Sequence, residues 1–275
     1  MKKIFWTLVG LAAVAVTAPA SAADLFVKAP PAPVYSWTGW YAGVNVGYSW
    51  GKAKSDYYDP NFGAYTGGTP IPSSNNPLSQ KLDGLIGGGQ VGYNWQINPT
   101  WVLGLEADIQ GSGERGTASF SDPFGIGTDC DIKCSNVSGT MKAAIDWFGT
   151  VRGRAGFLIS PTTLLYGTGG VAFGGIKASG TITDACSNPN ACTIPVSWGF
   201  AGSRTNVGWT AGGGVEGVVP NMARWTWKAE YLYLNLGSVS GTGFEAATGF
   251  GALPYTWSSK VTDNILRVGL NYHFR

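Results

Sequence analysis

The sequence predicts an all-β chain: an eight-stranded antiparallel up-and-down transmembrane β-barrel with long extracellular loops and short periplasmic turns. Three observations carry this. First, Trp40, Ala42, Val44, Val46, Tyr48 and Trp50 are apolar, while Tyr41, Gly43, Asn45, Gly47 and Ser49 between them are small or polar. A period of two means a strand with one apolar face. The run is long enough to cross a membrane, which takes about 9–11 residues of strand, and aromatics end its apolar face as interfacial girdles do. A strand in a soluble sandwich is nearer 5–6 residues. Second, similar runs recur along the chain, joined alternately by long and short connections. Third, charged residues make up only 12%, against roughly 25% in ordinary soluble domains. Gly 42, Trp 12 and Tyr 12 complete a composition suited to an outside that faces lipid.

The N-terminus is an address. Lys2 and Lys3 precede an apolar run from Ile4 to Val16, and Ala20-Ser21-Ala22 is a small-residue cleavage site. Residues 1–23 are therefore expected to be a removed secretory signal peptide; a retained helix is disfavoured by the short apolar run and by Pro19. Residues 24–37 form a Pro-rich periplasmic lead-in, expected to be extended and mobile. The barrel is placed at 38–275. Elsewhere no stretch of 18 apolar residues offers a helical span. Without Lys2 and Lys3 the basic residues fall from 18 to 16 and equal the 16 acidic ones, so the mature chain is formally neutral. No basic patch points to nucleic acid.

Strand one is followed by a polar loop rich in Gly, Pro, Ser and Asn, over 51–82. Strand two, about 84–95, sets Leu85, Val91, Tyr93 and Trp95 against Gln90 and Asn94; Asn98-Pro99 then marks a turn. In strand three, about 101–110, Trp101, Leu103, Leu105, Ala107 and Ile109 oppose Gly104, Glu106, Asp108 and Gln110. A second loop covers 112–139. Strand four, about 140–157, sets Met141, Ala143, Ile145, Trp147, Val151, Ala155 and Phe157 against Lys142, Asp146, Thr150, Arg152 and Arg154. Strand five, about 163–174, is too rich in glycine for its faces to be assigned. A third loop covers 175–204. Strand six, about 206–218, opposes Val207, Trp209, Ala211, Val215 and Val219 to Thr210 and Glu216, and Pro220-Asn221 turns the chain. Strand seven, about 224–236, sets Trp225, Trp227, Ala229, Tyr231 and Tyr233 against Lys228 and Glu230. After a fourth loop at 237–260, strand eight, about 263–274, sets Leu266, Val268, Leu270, Tyr272 and Phe274 against Arg267, Asn271 and His273. Odd-numbered strands begin near 40, 101, 164 and 225, a hairpin repeat of about sixty residues.

Four cysteines follow the signal in an oxidising route. Cys130 with Cys134 and Cys186 with Cys192 form two local pairs. They are read as two loop-stapling disulfides, with a link between the two loops as the other even pairing. Neither pair is a Cys-x-x-Cys, and the only histidine, His273, is distant in sequence, so no metal site is assigned.

Three segments match the Gly-x-Gly-x-x-Gly/Ala spacing, starting at Gly87, Gly167 and Gly212. Each lies inside a strand with no helix after it, so dinucleotide binding is rejected; small residues in tightly bending strands explain them. On parity, Glu106, Asp108, Lys142, Asp146, Arg152, Arg154, Glu216, Lys228, Glu230 and Arg267 point into the lumen. Eight strands leave an interior just filled by side chains, and unpaired buried charge is costly. An ion-paired plug is expected, with a narrow ion-conducting path as its alternative. His273 lacks an evident nucleophile, so no catalytic residue, enzyme activity or cofactor is assigned.

Several motifs carry a resemblance: Trp37-Thr-Gly-Trp-Tyr-Ala-Gly43, Asp146-Trp-Phe-Gly-Thr-Val-Arg-Gly-Arg154 and Leu165-Tyr-Gly-Thr-Gly-Gly-Val171, behind a signal peptide and a Pro-rich lead. With these the chain resembles the small porin-family outer-membrane proteins of alphaproteobacteria, often described as outer-membrane immunogenic or surface-antigen proteins. Arg267 to Phe274 resembles the C-terminal signal read by the barrel assembly machinery, with Gly269, Tyr272 and Phe274 matching; Arg275 departs from it, since the aromatic is usually last. The resemblance implies the Gram-negative outer membrane, outer-membrane lipid as surroundings, and the assembly machinery and periplasmic chaperones as biogenesis partners. It implies a structural or surface-antigen role, with a small-pore porin as the alternative. Tyr57, Tyr58, Phe62 and Tyr65 are candidates to bind a host or surface ligand.

Overall fold

The structure is a computed structural model and describes residues 35–58, 78–122, 135–186, 196–247 and 251–274. The signal segment, most of the lead-in, Phe62, Tyr65, Cys130, Cys134, Cys192 and Arg275 lie outside the described residues, as do the side chains of Tyr57, Tyr58 and Cys186.

Eight strands run in order: β1 (Gly39–Tyr58), β2 (Leu78–Gln96), β3 (Trp101–Asp122), β4 (Ser135–Ser160), β5 (Thr163–Cys186), β6 (Val196–Val219), β7 (Met222–Ala247) and β8 (Gly251–Phe274). Each pairs antiparallel with its sequence neighbours, and β8 closes on β1 from Trp40↔Phe274 to Tyr58↔Thr256. Closure pairs both edges of the sheet, as hydrocarbon requires. The tight connections fall at residues 97–100, 161–162 and 220–221. Asn98 holds the first through its Oδ1, which accepts from the backbone N–H groups of Thr100 and Trp101, both at 2.8 Å. Asn221 turns the third with φ 64°, a left-handed conformation that asparagine tolerates.

The strands are longer than the sequence pattern implies. Strand enters each of the stretches at 51–82, 112–139, 175–204 and 237–260 from both ends, because pairing runs on past the girdle to Tyr58, Asp122, Cys186 and Ala247. At about 3.3 Å per residue and a tilt near 40°, a strand of 24 residues climbs roughly 60 Å, about twice the hydrocarbon thickness. The barrel therefore has a membrane storey and an extracellular storey.

Polarity inverts between them. In the membrane storey Trp40, Val44, Val46, Leu103, Leu105, Ile109, Val151, Trp209, Trp227, Leu266 and Val268 face outward and exposed. In the extracellular storey the outside carries residues such as Lys52, Lys54, Lys81, Lys142, Lys177 and Lys260, all exposed. The inside there is a mainly apolar core that includes Leu82, Ile86, Ile145, Phe148, Ile176, Leu232, Leu234, Leu236, Val261 and Ile265, with Glu114 and Asp263 buried among them. The upper storey is thus built like a soluble barrel, apolar inward and polar outward.

In β4 and β7 a bulge also changes which parity points inward, whereas in β1 and β8 one parity points inward throughout. At Asp146 the β4–β5 register slips between Ile145 and Trp147. Met141, Ala143 and Ile145 consequently point inward above the bulge, whereas Phe148, Thr150 and Arg152 do so below it. Met141, Ala143 and Ile145 were expected on the lipid-facing side; the extra residue reverses their parity. In β7 the slip falls between Asn235 and Ser238. Gly237 has φ 71°, and its N–H donates to Asn235 Oδ1 at 2.9 Å. Leu236 faces inward before it and Val239 after it.

Candidate functional site

The lumen of the membrane storey holds one connected ionic cluster. β3 supplies Glu106 and Asp108, β4 Arg152 and Arg154, β6 Glu216, β7 Lys228 and Glu230, and β8 Arg267, all buried. They share the cluster because β-alternation turns every second residue inward and the registers set Glu106 opposite Arg152 and Glu230 opposite Arg267.

Glu106 stands at the centre. Its Oε1 accepts from Arg152 Nη2 at 2.5 Å and Lys228 Nζ at 2.8 Å, and its Oε2 accepts from the Tyr41 hydroxyl at 2.8 Å. Asp108 Oδ2 accepts from Thr150 Oγ1, Arg152 Nη2 and Arg267 Nη2 at 2.8, 2.9 and 3.0 Å. Glu230 receives a forked contact from Arg267, with Nε at 2.8 Å and Nη2 at 2.6 Å, and accepts from Arg152 and the Tyr166 hydroxyl at 3.0 Å each. Glu216 accepts from Arg154 Nη2 and Thr226 Oγ1 at 2.6 Å and from Asn271 Nδ2 at 2.9 Å. The Arg154 guanidinium lies 4.1 Å above the Tyr166 ring centre, a cation–π contact. Four carboxylates thus meet four cations, and each charge has an opposite partner within 4 Å. Such pairing offsets the cost of removing the charges from water.

Apolar clusters lie on both sides of this ionic one. Beyond it, toward the extracellular storey, is the mainly apolar core. On the periplasmic side Trp37 is 0% exposed and packs in one cluster with Val102, Leu164 and Tyr166. Its Nε1 donates to Pro161 O at 3.2 Å and its backbone N–H to Gln96 Oε1 at 3.0 Å. Trp37 was expected in a mobile lead; instead it corks the barrel mouth, because a large apolar ring beside the open mouth is buried at little conformational cost. His273 lies against the rings of Tyr35, Trp37 and Tyr41, with centroids 6.3, 6.1 and 5.4 Å away. Its Nε2 is 3.1 Å from Thr226 Oγ1 and 3.5 Å from Glu216 Oε1.

Residues 9–274 match the family described as outer membrane protein beta-barrel domain. The chain belongs to that family. It is 34% identical over 265 residues to the 31 kDa outer-membrane immunogenic protein of Brucella melitensis biotype 1, covering 93% of each chain. It is 31% identical over 208 residues to a 22 kDa outer membrane protein of Rhizobium leguminosarum bv. viciae, covering 75% of this chain and 67% of that one. The 25 kDa outer-membrane immunogenic protein of Brucella abortus biovar 1 is 27% identical over 278 residues, with 97% and 96% covered. This family member is a protein of the Gram-negative outer membrane.

Two residues that parity placed in the lumen of this family member do not join it. Lys142 is exposed on the outside, and Asp146 faces outward between Lys177 Nζ at 2.6 Å and Arg115 Nη1 at 3.3 Å. The bulge at Asp146 is the cause. The Lys177 ammonium, helped by Arg115, holds the Asp146 carboxyl below the usual carboxylate range. The remaining eight residues stand in the ionic cluster. Tyr41, Tyr166, Thr150, Thr226 and Asn271 complete it; the inward parity of their strands carried that signal for all but Tyr166, whose glycine-rich strand left its faces unassigned. The glycines of the rejected dinucleotide matches have a local purpose. A Cβ on Gly92 would lie 2.3 Å from the Tyr41 hydroxyl, and one on Gly214 would lie 2.8 Å from that of Tyr166, so each makes room for a tyrosine that lies over it from the neighbouring strand. At the C-terminus Tyr272 and Phe274 face outward with ring centres 5.3 Å apart, and Gly269 packs against β1 opposite Asn45.

Proposed function

We propose that this chain is a structural, surface-exposed outer-membrane protein. Its sealed barrel anchors four extracellular hairpins in the envelope and presents them to the outside. The single observation that supports this reading is the three-tier filling of the interior: the Trp37 cork, the ion-paired cluster around Glu106, and the mainly apolar core around Phe148 and Leu234. A water-filled path would have to break all three. The names of the Brucella relatives point to the same surface-antigen role. Neither catalysis nor a cofactor is part of the proposal. Removal of residues 1–23 on export, handling by chaperones and the barrel assembly machinery through Gly269, Tyr272 and Phe274, and stapling of loops by Cys130–Cys134 and Cys186–Cys192 complete it.

Planar-bilayer recording tests the sealed barrel. The refolded protein is expected to give no steady, reproducible openings; regular single-channel steps would overturn it in favour of a small-pore porin. Non-reducing mass mapping tests the staples, and four free thiols would remove them.

A further inference from the structure

Two acids are buried in the extracellular storey with no cation beside them. Glu114 of β3 and Asp263 of β8 are each 0% exposed. Glu114 stands five residues beyond Ile109, and Asp263 three beyond Leu266, the outward apolar residues that end the membrane storey on those strands. Among the described residues neither acid makes an ion pair, and their carboxyls are within hydrogen-bonding reach of each other. Asp263 Oδ2 accepts from the Ser49 hydroxyl, and its Oδ1 accepts from the Asn264 N–H at 2.8 Å. Glu114 Oε1 accepts from the Ser112 hydroxyl at 3.0 Å, whereas its Oε2 is buried without a donor.

The inward faces around the pair do not titrate. β1 presents Ala53, β2 Leu82, β4 Ile145, β5 Ile176, β7 Leu234 and β8 Val261, and β6 presents the amide of Asn206. Arg115, Lys52 and Lys81 on the neighbouring stretches point outward. The next inward charges are Asp108 of β3, Arg152 of β4, Glu230 of β7 and Arg267 of β8, which bind one another in the ionic cluster. Two adjacent carboxyls in such a core are not both ionised at low cost, since burial and a like charge each favour the neutral form. Asp263 accepts from two donors and Glu114 side-chain oxygens from one, so a shared proton belongs on Glu114. A proton there turns the orphaned oxygen into a donor.

The contact spans a weak place in the sheet. The β2–β3 pairing is interrupted between Ile86↔Ser112 and Asp83↔Arg115, and the β3–β4 register slips between Gly111 and Glu114. Gly84 of β2 is bare here: a Cβ on it would lie 2.6 Å from Glu114 N. Ser49 of β1 pairs with Gly84 on one side and with Ile265 of β8 on the other. Side chains thus join β3 to β8 and β1 where the backbone ladder is incomplete. We propose that Glu114 and Asp263 form a proton-held latch at the base of the extracellular storey. Sharing a proton they fasten β3 to β8; once both are ionised they repel and loosen that junction. Burial, with the neighbouring Asp263 charge, pushes Glu114 up to about 8, and burial pushes Asp263 up to about 6. Both folded values exceed the unfolded carboxylate values near 4. The stabilisation is therefore full below the unfolded values and is lost as pH rises through the folded ones, from about 6 to about 8. The sign is opposite to that of an ion-paired carboxylate such as Asp146.

The test uses the full mature chain refolded in lipid vesicles. Infrared difference spectra against pH read the carbonyl stretch of a protonated carboxylic acid. The wild type is expected to keep that band at pH 7 and to lose it toward pH 9, and Glu114→Gln to lack it at pH 7. Asp263→Asn, which also serves should the first variant fail to fold, is expected to lower the pH at which Glu114 loses its proton. Urea midpoints read by tryptophan fluorescence should fall for the wild type between pH 5 and pH 9. The fall corresponds to roughly tenfold in the folding equilibrium for each pH unit by which a folded value exceeds the unfolded one within that range. Glu114→Gln should remove most of it. No protonated band at pH 7 in the wild type, or an unshifted titration in Asp263→Asn, would overturn the inference. So would loss of the band at pH 7 on adding calcium ion, since that makes the two acids a cation site.

Discussion

Tyr41 lies along the inner wall from β1 to donate a 2.8 Å hydrogen bond to Glu106 of β3, over the bare backbone of Gly92 on the strand between. The same hydroxyl accepts from Arg154 Nη1 at 3.0 Å. One tyrosine thus joins the central carboxylate to the cation that holds Glu216.

Tyr41→Phe is expected to destabilise the barrel by about 1–3 kcal/mol, the cost of leaving charged buried partners short of one hydrogen bond. Urea unfolding in lipid vesicles, followed by tryptophan fluorescence, reads the loss. Gly92→Ala should cost a similar ~1–3 kcal/mol through overpacking against that ring, and the double variant should cost less than the sum because both act on one contact.

Removing the central charge has a larger effect. Glu106→Gln takes away the negative charge that Lys228 and Arg152 share; Arg152 keeps Asp108 and Glu230, whereas Lys228 keeps only a 3.9 Å contact to Glu230, and leaving a buried cation short of its partner costs about 3–5 kcal/mol. Adding Lys228→Met should recover part of the loss, since it removes the stranded cation. No recovery in the double variant would show that Lys228 is not the partner that matters.

The cork is separable from the cluster. Trp37→Ala should cost about 3–5 kcal/mol as a large buried aromatic is deleted. It should also expose His273, whose ring lies beside Trp37. Faster modification of His273 by diethyl pyrocarbonate in the folded variant than in the wild type is the expected reading; equal rates would place the seal elsewhere.

Gly237→Ala forces a Cβ into a left-handed backbone at φ 71°, at a cost of about 1–2 kcal/mol. The position meets no close neighbour, since the nearest atom to that Cβ is Val207 O at 3.7 Å. The penalty is therefore conformational. Gly237→Asn, which tolerates this region, should lose less in the same urea assay.

Asp146 supplies a pH dependence. Lys177 and Arg115 lower its folded pKa below the unfolded value, so its contribution is present above the unfolded carboxylate pKa near 4 and is lost as pH falls through the lowered folded value. The pairs are exposed, with Lys177 at 61% and Arg115 at 66% side-chain exposure, so the effect stays within the ~0–1 kcal/mol of surface ion pairs. Urea midpoints of wild type and Asp146→Asn should converge between pH 7 and pH 3. A constant gap would assign the difference to something other than charge.

The membrane storey was legible because lipid imposes one rule on every strand. Trp40 to Trp50, Trp101 to Ile109 and Trp225 to Tyr233 each alternate cleanly, and a lipid-facing residue must be apolar whatever its neighbours are. Eight of the lumen charges follow from the same parity. The upper storey obeys the opposite rule, and a period of two says only which residues share a face, not which side that face takes. Lys52, Lys81 and Lys177 therefore read as loop, although each lies on a paired strand with its apolar neighbours Ala53, Leu82 and Ile176 turned inward.

By itself the sequence determined the number of strands, their order, the tight turns at Asn98 and Asn221, and the apolar belt, because each depends on local chemistry or on contact with lipid. Only the tertiary structure decided that Trp37 closes the mouth, that Asp146 leaves the lumen, that Gly92 and Gly214 clear the way for Tyr41 and Tyr166, and that the strands continue above the membrane with inverted polarity. Those outcomes depend on closure of the ring and on one-residue register slips. Both are set by which strands meet across the barrel, and neither leaves a periodic mark along the chain.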